Sequence, residues 1–221
     1  MQEYIDLSHT IDNDTISYKG LPAPIICDYL SREESKMIYE AGTSFQIGRI
    51  NMVGNTGTYI DCPFHRYVDG KDLASMDLER FVNLPAVKVY VPHGHSMEID
   101  HHFFEHLDLK GKAVLIQTDW SDYWMTDQYY VDHPFVTASA ASYLKEQGVI
   151  LVGIDAHNID DTRSSARPVH SLLLKHEILI VEHLCNLNLL KTDSFLFSAV
   201  PPKIIGMGTF PVRAFAQMQN H

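Results

Sequence analysis

Asn55-Thr56-Gly57-Thr58-Tyr59-Ile60-Asp61-Cys62-Pro63-Phe64-His65 decides how this 221-residue chain is read. It follows a strand-like run, Ile47 to Val53, and packs turn formers, a carboxylate and an imidazole into a short span. Gly57 inside Thr-Gly-Thr predicts a tight backbone with a positive φ, which only glycine adopts freely. Pro63 stiffens the exit, so Asp61 and His65 should be held at a reproducible separation. A rigid turn presenting Asp and His after a strand suits a metal shell or a general base. It also suits a purely structural turn, and the stretch on its own leaves both open.

Working outward, the residues before it predict strands at Tyr4 to Ile11, from an alternation of apolar and polar residues, and at Ile25 to Leu30. A Gly20-Leu21-Pro22-Ala23-Pro24 loop separates them, and Ser31 to Ala41 carries mixed strand and helix signals. His9 reads as a solvated histidine at a strand end. After the stretch, Met76 to Phe81 suggests a short helix and Ala86 to Val91 a strand. His93, His95, His101, His102 and His106 then form a histidine-rich tract, read as a solvated surface feature with Asp100 as a helix N-cap.

Ala113 to Gln117 is a buried-type strand, followed by an aromatic loop with Trp120, Tyr123, Trp124, Tyr129 and Tyr130. Thr137 can cap a helix over 138–147, Gly148 stops it, and Val149 to Ile154 is a continuous apolar strand. Strand, helix, strand in that order implies a parallel pair with a crossover. Asp155 to Arg167 is a polar loop, expected to rim a site. His170 sits in a short helix, and Glu182 ends an apolar strand, where a carboxylate is costly to bury unless paired or metal-bound.

The totals limit function. A formal net charge of -11 argues against a nucleic-acid partner, because phosphate binding needs a basic face. The lack of any long apolar run predicts no membrane span, and the polar start, Met1-Gln2-Glu3-Tyr4, has no signal-peptide core. Cys27, Cys62 and Cys185 read as free thiols of a cytoplasmic protein. At this length a single domain, 1–221, is expected. No Gly-x-Ser-x-Gly elbow is present, Gly206-Met207-Gly208 does not extend to a dinucleotide fingerprint, and His176-Glu177 lacks a zincin's second histidine.

The central stretch resembles the signature of the cyclase family, which comprises kynurenine formamidases, isatin hydrolases and related metal-dependent amide and lactone hydrolases. That pattern reads His-Thr-Gly-Thr-His-x-Asp-x-Pro-x-His. Thr56, Gly57, Thr58, Asp61, Pro63 and His65 match it, whereas Asn55 and Tyr59 stand where it has histidines. The opening Ile5-Asp6-Leu7-Ser8-His9 is similar too, as is the His170 to Glu182 spacing with Asn186-Leu187 after it. The resemblance spans nearly the whole chain.

It implies an α/β fold of the swivelling β/β/α kind, with strand-rich mixed sheets and few helices. It also implies Asp61, His170 and Glu182 as ligands of one divalent cation, zinc or manganese, held more weakly than in the family. His65 would be the general acid and base. Asn55 and Tyr59 would orient substrate or, for Tyr59, take part in proton transfer, and Trp120 would contact substrate. The implied activity is hydrolysis of an amide or lactone bond in a small aromatic acid, in a homodimer or homotetramer. N-formylkynurenine is the family's best-known substrate. Two other readings stay open: a metal-free cyclase or dehydratase using His65 and Tyr59, and a non-catalytic binding protein.

Overall fold

The computed structural model describes residues 3–92, 94, 96–192 and 194–218. Its first strands are β1 (Glu3–Asp6), β2 (Ile25–Leu30), β3 (Ile47–Asn51), β4 (Tyr59–Asp61) and β5 (Leu84–Tyr90). The middle of the chain supplies β6 (Glu98–Ile99), β7 (Ala113–Gln117), β8 (Phe135–Val136), β9 (Leu151–Ile154) and β10 (Leu179–Glu182). The last are β11 (Ser194–Ser198), β12 (Thr209–Pro211) and β13 (Phe215–Met218). The α-helices among the described residues are α1 (Arg32–Lys36), α2 (Ala138–Glu146) and α3 (Pro168–Lys175).

Nine strands make one mixed sheet in the order β1-β13-β11-β5-β7-β9-β10-β4-β12. Its centre, β5-β7-β9-β10, is parallel, and both flanks are antiparallel. The central strands are apolar on both faces because both faces are covered. Val114, Ile116, Val152 and Ile154 pack with Ala140, Ala141 and Leu144 of α2 and with Val169, Leu173 and Leu174 of α3. Ala113, Leu115 and Leu151 face the other way, against Phe195, Phe197 and Ala216. The sheet curls: past β1, the Leu7 carbonyl accepts from Cys185 N–H at 3.0 Å, just beyond β10.

The expected parallel pair is present. β7 and β9 run parallel, and α2 crosses between them, capped by Thr137 Oγ1 accepting from Ala140 N–H at 3.1 Å. Gly148 ends the turn with φ +75°. The mixed stretch after Ser31 resolves into α1, closed by a capping box between Ser31 and Glu34. Met76 to Phe81 holds only a 3-10 turn at Leu78–Arg80. The N-terminal strand is shorter than expected, with Ser8 making an isolated bridge to Leu184.

His9 is not solvated as expected. It stacks on Trp124, with ring centroids 4.1 Å apart, and burial pushes its imidazole down to about 4. Of the histidine tract, His93 and His95 lie outside the described residues. His101 starts a 3-10 turn capped by Asp100, and His102 and His106 are exposed. No helix among the described residues is long and apolar enough to cross a membrane. Cys27, Cys62 and Cys185 are free thiols.

β2 and β3 form a separate two-stranded sheet, an arm not hydrogen-bonded into the main one. Its side chains are mostly exposed, including Ile25, Tyr29, Ile47 and Ile50, with Met37, Ile38 and Phe45 between the strands.

Candidate active site

Three strands build the site through their register. β4 lies between β10 and β12, with Tyr59 opposite Glu182 on one side and Asp61 opposite Thr209 on the other. Side chains two apart share a face of a strand, so Tyr59 and Asp61 point together while Ile60 enters the core behind them. Gly57 takes φ +63° as expected, and a Cβ there would sit 2.7 Å from Ile11. A second glycine sets His65. At Gly208 a Cβ would lie 2.3 Å from the His65 nitrogen, so only glycine lets the approach to β12 pass against this turn.

Of the four residues predicted from two distant motifs, His65, His170 and Glu182 line one cavity of about 250 Å³, and Asp61 is buried beside them, 3.7 Å from His65 Nδ1 and 3.6 Å from His170 Nε2. Asp61 is fully buried; its Oδ1 accepts from Thr209 Oγ1, and its Oδ2 has no hydrogen-bond partner among the described residues. His170 Nε2 stands 3.6 Å from that Oδ2 and 3.6 Å from Glu182 Oε1. His170 Nδ1 is 2.6 Å from Asp160 Oδ2, and the Asp160 carboxylate also receives the N–H groups of Val169 and His170. A carboxylate accepts only, so Nδ1 carries the proton toward Asp160, and Nε2 faces the site.

His65 is oriented by the same logic. Thr209 Oγ1 lies 2.7 Å from His65 Nδ1, and its single proton goes to Asp61. Nδ1–H must therefore donate to Thr209, which leaves Nε2 of a neutral His65 free to accept a proton or a metal ion.

Tyr59 donates to Glu182 Oε2 at 2.5 Å, and Glu182 Oε1 accepts from Ile159 N–H at 2.7 Å. Burial raises the Glu182 carboxyl, and the Asp61 charge adds to this while His170 opposes it. Burial alone would lower the His170 imidazole, but Glu182, Asp160 and Asp61 outweigh it and raise it. Burial holds the Tyr59 phenol well above its ordinary range, with Glu182 adding to the effect. The phenol acts here as the donor to Glu182.

The donors fit a divalent cation. Among the described residues, Asp61, His65 and His170 form the group whose ligand atoms all lie within 4.8 Å of one another. An orphaned buried carboxylate oxygen, with an imidazole nitrogen close to it, is what a cation would satisfy. Glu182 contacts His170 Nε2 from outside that group.

The remaining predicted residues divide. Asn55 lines the cavity with Tyr59. Trp120 does not line it; it is buried, and its indole N–H donates to the Tyr129 carbonyl at 3.0 Å. The polar loop after β9 borders the site as expected, contributing Asn158 and Arg167 to the lining, but its first half is buried. Thr209 and Tyr18 were not foreseen as site residues, nor was Arg66, although it directly follows the signature turn. Asp160 and Arg167 fall in the loop expected to rim a site, but no spacing singled them out within it.

Residues 5–161 match the family described as "Putative cyclase". The chain is 30% identical over 213 residues to a kynurenine formamidase of Bacillus cereus, covering 96% of each protein. It is 29% identical over 215 residues to the kynurenine formamidase of Geobacillus thermodenitrificans, covering 97% of each. A solved structure titled as a potential metal-dependent hydrolase with cyclase activity superposes with a TM-score of 0.81 at 25% identity, over 100% of both chains. An isatin hydrolase bound to the product analogue thioisatinate shares the fold, with a TM-score of 0.83 at 19% identity over 99% of this chain and 93% of that one. The match over most of the sequence, and the Asp, His and Glu that the sheet gathers, place this chain in the cyclase family.

Proposed function

We propose that this protein is a metal-dependent hydrolase that opens an amide or lactone bond in a small acid, as an arylformamidase does. The observation that carries the reading is the meeting of Asp61, His65 and His170 with one carboxylate oxygen left unpaired. The kynurenine formamidases that match nearly end to end support the reaction class.

Asp61 and His170 would hold the cation, with Glu182 as third ligand. Held there, a cation would supply water of lowered pKa, about 7, and polarisation of the scissile carbonyl. His65 Nε2 is placed to take a proton from an attacking water and return it to the leaving group, because Thr209 keeps the proton of Nδ1 pointing away. Asn55, whose side chain makes no hydrogen bond among the described residues, is free to donate to substrate. Zinc and manganese are the candidate ions for a set rich in oxygen.

A second assignment follows from the geometry, with His65 replacing Glu182 as third ligand, because His65 lies in the close group and both Glu182 oxygens already accept hydrogen bonds. One variant separates the two. If Glu182 is the ligand, His65→Ala keeps one cation per chain by metal analysis and loses at least about a hundredfold in rate. If His65 is the ligand, the same variant loses the metal. Hydrolysis in a screen of aryl formamides and lactones should stop with chelator and return with added metal. Turnover that resists chelation would instead favour the metal-free reading, with His65 as base and Tyr59 as donor.

We infer as well that the chain self-associates through the β2-β3 arm. Its cluster of exposed apolar side chains is the kind of surface that marks an interface, and the family resemblance implies a homo-oligomer. A cytoplasmic setting agrees with the free thiols.

A further inference from the structure

The lining of the cavity mixes two chemistries: His65, His170 and Glu182 are one, and the hydrogen-bond donors Tyr18 and Asn55, with Arg66 and Arg167, are the other. In a chain with net charge -11, most available cations could find a carboxylate. Arg163 and Arg213 do, each lying against an aspartate. Among the described residues, neither Arg66 nor Arg167 has a carboxylate within 4.0 Å.

Their bonds hold them in place without neutralising them. Arg66 Nε–H donates to Ser171 Oγ at 3.0 Å, and its terminal nitrogens have no hydrogen bond among the described residues. Arg167 Nη1 is held by the backbone carbonyls of Ser164 and Ala166, at 2.5 and 2.8 Å, leaving Nη2 without one. Tyr18 accepts from Asn158 Nδ2 at 2.9 Å, so its own hydroxyl proton remains to be given. The Arg167 charge is felt at the Tyr18 phenol, which places the two close together. Each of these groups has a donor unspent and faces the same space.

We propose that Arg66 and Arg167 form a carboxylate-binding subsite, with Tyr18 as an added donor, so that the ligands of this cavity are small carboxylic acids. A planar guanidinium fork pairs with a carboxylate through two parallel N–H bonds. Because His65 and His170 line the same cavity, a ligand anchored by these arginines can present a carbonyl elsewhere in its skeleton to them. For the reacting group the inference rests on the hydrolytic reading above; for binding it does not.

Calorimetry on the purified holoprotein tests it with benzoate, its neutral isostere benzamide, and inorganic phosphate. Benzoate should bind at least about tenfold more tightly than benzamide, and Arg66→Gln and Arg167→Gln should each weaken it by about that factor. Arg167→Gln also frees loop carbonyls, so Arg66→Gln, which gives up one side-chain bond, is the cleaner variant; near-ultraviolet circular dichroism verifies that both are folded. Benzoate affinity unchanged in both folded variants overturns the subsite, as does equal binding of benzamide. Phosphate binding more tightly than benzoate, and weakened by the same variants, overturns the carboxylate assignment. The two readings fail separately. Benzoate binding that needs the arginines in a protein that hydrolyses no amide or lactone keeps the subsite and removes the hydrolase. Hydrolysis of neutral and anionic amides with the same KM, in parent and Arg66→Gln alike, does the reverse.

Discussion

Thr209 is a single hydroxyl that joins His65 to the buried Asp61. Its value lies in direction: donating to Asp61 obliges it to accept from His65, which fixes the tautomer of the ring. Thr209→Val keeps the shape and β-branching but removes both bonds. The expected result is a fall in kcat of about ten- to a hundredfold, with KM and bound metal little changed, as for other groups that orient a metal-site residue. A parallel loss of metal would show that Asp61 itself had moved. Asp61, His65, His170 and Glu182 were legible in the sequence because each falls in a spaced motif. Thr209 and Asp160 were not. A lone threonine near a late edge strand and a loop aspartate carry no periodic signal, and their roles exist only once Asp61 and His170 stand opposite them.

At the scale of elements, the buried strands and α2 were readable because an apolar run with capping and stop residues has few other ways to fold. β11, by contrast, was not foreseen, although Phe195 and Phe197 alternate with exposed or half-buried neighbours. The arm was half legible: β2 and β3 came through, but nothing in their pattern said that they would leave the main sheet. Exposure of the arm is the basis for a test of assembly. Tyr29 and Ile50 are both well exposed there, so Tyr29→Asp with Ile50→Asp should leave the fold intact. Light scattering should show the double variant as a monomer where the parent is an oligomer; an unchanged mass would move the interface elsewhere. His9 shows the limit of local reading, since its aromatic partner Trp124 lies far along the chain.

Across the whole molecule, the aromatic layer behind the site stores neutral imidazoles. Burial pushes His157 down to about 3, with His133 and Arg167 adding to the shift, and His183 is lowered as well. His157 Nδ1 and His183 Nε2 have no hydrogen-bond partner among the described residues. The unfolded chain protonates near 6.5 while the folded protein cannot, so this contribution is fully present above pH 6.5 and is lost as pH falls toward 3. Asp155, raised to about 7 by burial, acts in the opposite sense over part of that range, so the comparison must be between variant and parent. His157→Phe removes one titrating group. Between pH 6.5 and 5 its stability in urea melts should decline by about 1.5 kcal/mol less than the parent's. Equal slopes would mean that His157 takes up its proton in the folded state.

The placement of Tyr59 comes from main-chain pairing on both edges of β4, to β10 and to β12. Those amide bonds are indifferent to the side chain they carry, so the register of β4 would hold a phenol or an imidazole at that position alike. Chemistry at that point is thereby uncoupled from architecture. A substitution at Tyr59 can therefore change what the site holds while the strands that aim it keep their pairing.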